Sequence, residues 1–292
     1  MITPEIKSKI IEAIVERRKQ FESDAKMSAW LGIDAARYSQ IMKGKIDGKL
    51  SDGNWMGMAR RLELELMDTM KWAVVETETY RFINTQLEAM QALSVSGIFC
   101  DMTDIGKTFA AKSYVKQHTN AVYIDCSHSK TKQKLIRNIS KEFGLGDIGK
   151  YDEIYGNLIF YLRSLPNPLI VLDEAGDLEY SAFLELKALW NDTENFCGWY
   201  MMGADGLRAK MERMIAGKKV GYAEIFRRYG SGYKTIVPVG SKESQKFRDI
   251  QVDAVAQVNG IVDKEKLHDF KIKCMGSLTR AYIEIKKMRM RG

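Results

Sequence analysis

The sequence predicts an α/β protein built on a mostly parallel sheet flanked by helices, with a small all-α module before it and a helical segment after it. Three observations predict this. From residue 97 onward, short apolar runs alternate with stretches of helical periodicity. One run leads into a loop that ends Gly106-Lys107-Thr108 with a helical pattern behind it. Another, Leu169-Ile170-Val171-Leu172, ends in the acid pair Asp173-Glu174.

At the N-terminus, Ile6, Ile10, Ile14 and Phe21 share one face of a predicted helix over 4–21. The stretch from Ser23 to Gly44 predicts two short helices around a turn at Gly32, with Asp34 capping the second. Ala29, Leu31, Ile33 and Ile41 are expected to pack the corner, and Arg37, Tyr38, Gln40, Lys43 and Lys45 to project from the second helix and its end. Ser51 then caps a fourth helix through Trp55, Met58, Leu62 and Leu66. Residues 1–72 resemble a repressor-type helix-turn-helix domain, whose second helix enters the major groove. Arg37 and Gln40 suit base edges, while Lys43 and Lys45 suit phosphates. A docking or oligomerisation module of the same fold would read alike.

Residues 73–95 form a linker and an entry helix: 73–80 is extended and polar-alternating, a hinge, and 81–95 is helical. The α/β core, 96–240, begins with a strand at 97–101, a helix at 106–117, a strand at 121–125 and a helix at 130–143. The loop before Lys107 has the layout of a phosphate-binding loop. Backbone N–H groups and the helix N-terminus hold phosphates, Lys107 reaches the β and γ oxygens, and the Thr108 hydroxyl ligates Mg²⁺. Asp101 stands where the pattern has its first glycine, and Asp104 adds a second acid. An acid-tipped buried strand about 65 residues later supplies the complementary half. Asp173 is expected to orient the Mg²⁺ shell and Glu174 to polarise the attacking water.

A further strand at 198–203 ends in Ala204-Asp205, making Asp205 the nearest polar side chain at that tip. Arg227 and Arg228 follow an apolar pair and read either as an arginine finger or as surface salt-bridging residues. Lys130, Thr131, Lys132 and Lys134 alternate cations with small polar residues, as backbone-tracking DNA contacts do. A second basic loop is expected from Arg208 and Lys210 to Lys218 and Lys219. Residues 241–292 read as a helical lid with a basic tail from Lys286 to Arg291.

Composition narrows the class. A formal charge of +7 permits nucleic-acid binding without requiring it. Cys100, Cys126, Cys197 and Cys274 are far apart and read as buried thiols in a reducing cytosol. No apolar run approaches a membrane span, no signal-peptide pattern opens the chain, and the histidines and cysteines lack zinc spacing.

Taken in order, these segments resemble the AAA+ ATPases of DNA transposition, the MuB and TnsC type. The resemblance rests on the helix-turn-helix, Val75 to Thr79, Gly106-Lys107-Thr108, Leu169 to Ala175, Met202-Gly203, Phe226-Arg227-Arg228 and Gly276-Ser277-Leu278-Thr279-Arg280. It implies an AAA+ P-loop NTPase fold with a helical lid, ATP and Mg²⁺ as cofactors, and slow ATP hydrolysis stimulated by DNA or transposase. It further implies filaments on double-stranded DNA with little sequence preference, delivery of that DNA to a DDE-type transposase, and a cytoplasmic setting encoded by a phage or mobile element. Thr103, Asp104, Ile105, Gly106, Lys107, Thr108 and Phe109 would then surround the phosphates. Thr108 and Asp173 would serve the metal, and Glu174 the water. Arg228, with Arg227 second, would reach a neighbour's site, and Asp205 and Arg280 would sit near the γ-phosphate. Two acids in a phosphate loop are unfavourable by about 1 kcal/mol each at ~5 Å from a phosphate. Both side chains have room to turn outward and leave the backbone cradle intact, so nucleotide binding is expected to survive with slow hydrolysis. A nucleotide-sensing transcriptional regulator and a helicase-loader-type ATPase are the alternatives.

Overall fold

The centre of the computed structural model, which describes residues 2–46, 50–64 and 73–291, is a five-stranded parallel sheet. Its strands are β1 (Ser96–Cys100), β2 (Ala121–Asp125), β3 (Leu169–Asp173), β4 (Gly198–Gly203) and β5 (Tyr233–Lys234), in the order β2-β3-β4-β1-β5. Every adjacent pair is parallel. Side chains alternate between two cores. Ile98, Ile170, Leu172, Trp199 and Met201 enter one, and Phe99, Leu169, Val171, Tyr200 and Met202 enter the other. Burial on both faces is why the strands read as continuous apolar runs.

Helices cover both faces. On one lie α5 (Glu78–Leu93) and α6 (Lys107–Gln117). On the other lie α7 (Lys132–Glu142), α8 (Tyr151–Ser164), α9 (Tyr180–Asp192), α10 (Asp205–Ala216) and α11 (Tyr222–Arg228). The expected basic loop at 208–219 is for the most part α10. Arg208 donates to the Cys100 carbonyl at 3.0 Å, and Lys210 donates to the carbonyls of Gly176 and Leu178 at 2.7 and 2.6 Å. These two cations satisfy backbone carbonyls inside the fold, and the segment is a helix where a loop was expected.

The N-terminal module consists of α1 (Pro4–Arg18), α2 (Asp24–Leu31), α3 (Ala35–Met42) and α4 (Asp52–Arg61) around a core of its own. Its turn is as expected: Gly32 has φ +73°, and Asp34 accepts the Arg37 N–H at 2.8 Å. Helix α1 stops three residues short of Phe21. Ala29 is exposed, and Met27 and Trp30 fill the corner instead. Tyr38 is buried, because it lies one turn from Ile41 on the core face of α3. Leu66 lies outside the described residues.

The module docks on the α/β core. Trp30 Nε1 donates to Glu142 at 3.2 Å, and Glu63 pairs with Lys112 and Lys116 at 3.1 and 3.4 Å. Gly144, at φ +71°, meets the module so closely that a Cβ would stand 2.6 Å from the Lys26 carbonyl oxygen.

The expected hinge over 73–80 is shorter and held. Thr77 caps α5, and the segment before it lies along α12 (Ser241–Val258). Asn259 brackets Ala73 with two hydrogen bonds at 3.2 and 3.0 Å, and Gln251 accepts the Thr79 N–H at 3.4 Å. A backbone that leaves water needs such partners. Helix α12 packs with α13 (Lys264–Cys274) and α14 (Leu278–Arg291) around Val252, Phe270 and Ile285.

Candidate functional site

Strand order brings together what the chain separates. The C-terminal ends of β3, β4 and β1 lie side by side, with Cys100 opposite Gly203 and Leu172 opposite Met201. In such sheets this edge is where ligands bind. Each strand there feeds a loop: β1 the segment 101–106, β3 the acid pair, and β4 the Ala204-Asp205 turn.

The two predicted metal-site residues meet directly. Thr108 Oγ1 donates to Asp173 Oδ2 at 2.6 Å. Asp173 is 1% exposed, and its carboxylate takes two more donors, the Glu174 N–H at 2.9 Å and the Tyr123 hydroxyl at 2.9 Å. One hydroxyl and one carboxylate suit Mg²⁺, which binds through one or two side chains plus phosphate oxygens and keeps several waters. Among the described residues no group of three or more His, Cys, Asp or Glu side chains forms a richer metal cage.

Lys107 opens α6 and is buried, its ammonium donating to the carbonyls of Asp101 at 2.9 Å and Met102 at 2.6 Å. Burial pulls its pKa down, against the opposing charges of Asp173, Asp101 and Glu174. Gly106, at φ +93°, turns the chain into α6 with no side-chain cap, so the first N–H groups of that helix are available to an anion. Ile105 is in the core and Phe109 leans on Tyr80, so neither side chain faces a phosphate.

Both loop acids are occupied elsewhere. Asp101 is buried and turned under the loop, where Oδ2 accepts the N–H groups of Ile236 and Val237 at 2.7 and 3.0 Å and Oδ1 that of Met102 at 2.8 Å. Asp104, at φ +68°, clasps the start of α14: it accepts the Thr279 N–H at 3.0 Å and the hydroxyls of Ser277 and Thr279. An acid at a helix N-terminus is favourable through the dipole as well. Asp104 thus ties the loop to the lid, and its carboxylate is no phosphate ligand.

Glu174 is exposed beside Asp173, in a left-handed backbone conformation at φ +49°. Partial burial raises its pKa, and the Asp173 charge raises it further, while Lys107 opposes. That direction suits a general base. Asp205 starts α10 at the exposed tip of β4. Arg280 is exposed in the first turn of α14 and, with Arg248, Met102 and Thr103, lines a cleft of about 300 Å³ between loop and lid.

The remaining predicted residues lie apart from this cluster. Arg228 stacks on Trp190 at 4.8 Å and reaches the Lys187 carbonyl, whereas Arg227 is exposed. Arg228 is thus engaged within the chain, and Arg227 faces solvent. Lys130 pairs with Asp177 at 3.1 Å, and Lys132 pairs with Glu185 at 3.3 Å over the Tyr151 ring. Thr131 caps α7, and Lys134 is exposed. Arg37, Lys43 and Lys45 are exposed on and beyond α3, Arg37 beside Asp34 at 3.1 Å.

Sequence reasoning missed Tyr123 and Arg248. Tyr123 reads as an ordinary strand residue until β2 is known to lie beside β3. Arg248 is one cation among several on α12.

Comparison with known proteins agrees with this geometry. Residues 98–211 match the family described as AAA domain, a span that includes the loop, Thr108, the acid pair and Asp205. Along 276 residues the chain is 25% identical to the Mu-like prophage FluMu DNA transposition protein B of Haemophilus influenzae, covering 91% of this chain and 90% of that protein. No helix among the described residues is long and apolar enough to cross a membrane. A parallel sheet whose loop lysine, threonine and acid pair meet at one edge, with an AAA domain match across them, gives this chain a P-loop NTPase fold, and along nearly its whole length it is similar to a Mu-like DNA transposition protein.

Proposed function

We propose that this protein is an ATP-dependent, largely sequence-nonspecific DNA-binding ATPase that assembles on double-stranded DNA and hands it to a DDE-type transposase. The observation that carries the ATP half is the Thr108–Asp173 contact at 2.6 Å beside the buried ammonium of Lys107. The relative's role in DNA transposition supports the other half.

Lys107 and the first N–H groups of α6 would hold the phosphates, and Thr108 and Asp173 would hold Mg²⁺, which would supply charge neutralisation at the phosphate oxygens. Glu174 orients a water and accepts its proton. The acids that looked unwelcome in the loop are hydrogen-bonded elsewhere: Asp101 accepts three N–H groups, and Asp104 accepts donors of the lid. Slow turnover suits a site whose β4 tip offers Asp205 rather than a neutral amide or hydroxyl. Arg227, exposed at the end of α11, is the residue to complete a neighbour's site in an oligomer. Lys134, Lys43 and Lys45 face solvent and are available to track phosphates, and Arg37, Lys130 and Lys132 join them on leaving their acidic partners.

Negative-stain imaging with plasmid DNA, with and without ATP and Mg²⁺, tests the reading. The expected result is nucleotide-dependent coating of arbitrary DNA, lost in Lys107→Ala. Binding to one short operator regardless of nucleotide would instead identify a transcriptional regulator, and binding to a replicative helicase a loader.

A further inference from the structure

Asp173 is held by a residue that no phosphate-loop pattern includes. Its Oδ2 accepts two hydroxyls, from Thr108 at 2.6 Å and from Tyr123 at 2.9 Å, while Oδ1 accepts the Glu174 N–H at 2.9 Å. The two hydroxyls are not equivalent. Thr108 is itself a metal ligand in the proposed site, so its oxygen is shared between carboxylate and cation. The Tyr123 hydroxyl lies outside that proposed ligand pair and donates to the carboxylate.

The fold makes this contact a fixed one. Tyr123 sits on β2 opposite Val171, and Asp125 is the residue opposite Asp173. Two strand residues span about 6.6 Å, so Tyr123 starts well behind the carboxylate and only a long side chain closes the gap. Its ring is packed with the cluster formed by α5 and α6 on that face of the sheet. Lys112 lies over the ring at 5.1 Å, and Lys112 is held in turn by Glu63 of the N-terminal module at 3.1 Å. The phenol is also a dependable donor: burial and the neighbouring carboxylates of Asp173 and Asp125 push its pKa up, so it keeps its proton at all physiological pH values.

We propose that Tyr123 is a positioning residue of the nucleotide site, holding the Asp173 carboxylate in one orientation beside Thr108. The inference rests on the proposed reading of Thr108 and Asp173 as the metal-binding pair. Partners that orient a ligating carboxylate in this way commonly change metal affinity 10- to 100-fold when removed.

Tyr123→Phe removes the hydroxyl and keeps the ring. The test is the Mg²⁺ dependence of binding of a fluorescent ATP analogue to the full chain, measured beside its binding in EDTA and beside thermal melting. The expected result is an unchanged affinity in EDTA and a Mg²⁺ midpoint raised about tenfold. A purely structural role for the hydroxyl would lower the melting temperature and leave the Mg²⁺ midpoint where it was; that outcome, or a lowered midpoint, overturns the proposal while leaving the nucleotide site standing. If the unaltered protein binds the analogue no better than Lys107→Ala does, the nucleotide reading falls and the role of Tyr123 falls with it.

Discussion

The edge of the sheet and the basic segments treat their charged residues in opposite ways. At the edge, Lys107, Thr108 and Asp173, from two strands' ends distant in sequence, converge on one spot, and a tyrosine from a third strand joins them. Along the basic segments, cations that look free in the sequence are engaged within the chain. Lys130 meets Asp177, Lys132 meets Glu185, and Lys210 caps two carbonyls. The difference is one of constraint. A residue at a buried strand tip has its direction set by register and by pleat. A lysine on an exposed helix start has many rotamers of similar energy, and a nearby acid decides among them for ~0–1 kcal/mol.

That contrast can be broken or sharpened by substitution, and the largest effect is expected at the edge. Glu174→Gln should leave nucleotide binding intact and slow hydrolysis by about 10²–10³-fold, as loss of a general base does. Single-turnover measurement with radiolabelled ATP reads both. The same experiment carries a pH signature. A base with a raised pKa loses activity as pH falls through a range above the ordinary glutamate value of 4.5. That acid limb should vanish with the glutamine.

Lys107→Ala is expected to weaken nucleotide binding by about 100-fold, since a desolvated ammonium–phosphate contact is among the strong ones. Equilibrium binding of labelled ATP checks it. A smaller change is expected from Asp104→Ala. Removing the acceptor at the start of α14 leaves three donors without it, about 1.5–3 kcal/mol for hydrogen bonds to a charged group. Faster hydrogen exchange at Thr279 and a faster nucleotide off-rate would report the freed lid, and unchanged exchange would mean that the clasp is idle.

The smallest effects belong to the basic segment. Lys134→Ala should reduce the salt slope of DNA binding by about 1, the contribution of one phosphate contact. Lys130→Ala should change it less, because Asp177 already holds that ammonium. Equal slopes for the two would show that the internal pairs open freely to phosphate and would erase the distinction.

Much of the fold was legible because its signals are local. The apolar runs at 98–100, 169–172 and 199–202 are bounded by turns, and Gly32 and Asp34 punctuate the helical corner. Gly106-Lys107-Thr108 and Asp173-Glu174 were legible as a site because each marks a strand end. Errors arose where a neighbour in space makes the decision. Arg208 and Lys210 looked like a basic loop, but Leu207 and Met211 bury one face of α10 and draw those cations inward. Tyr38 looked polar, but its ring completes the face that Ile41 begins. The segment 73–80 looked like a hinge, and only contact with Asn259 and Gln251 makes it part of the lid.

The phosphate loop divides along the same line. Residue types and spacing alone determined that a helix starts at Lys107 behind a tight glycine turn, and that an acid-tipped strand exists to meet it. Where Asp101 and Asp104 point was decided by tertiary structure, because a carboxylate goes to the N–H groups that surround it. For Asp101 these are at 236–237, and for Asp104 at the start of α14, both more than a hundred residues away in the chain.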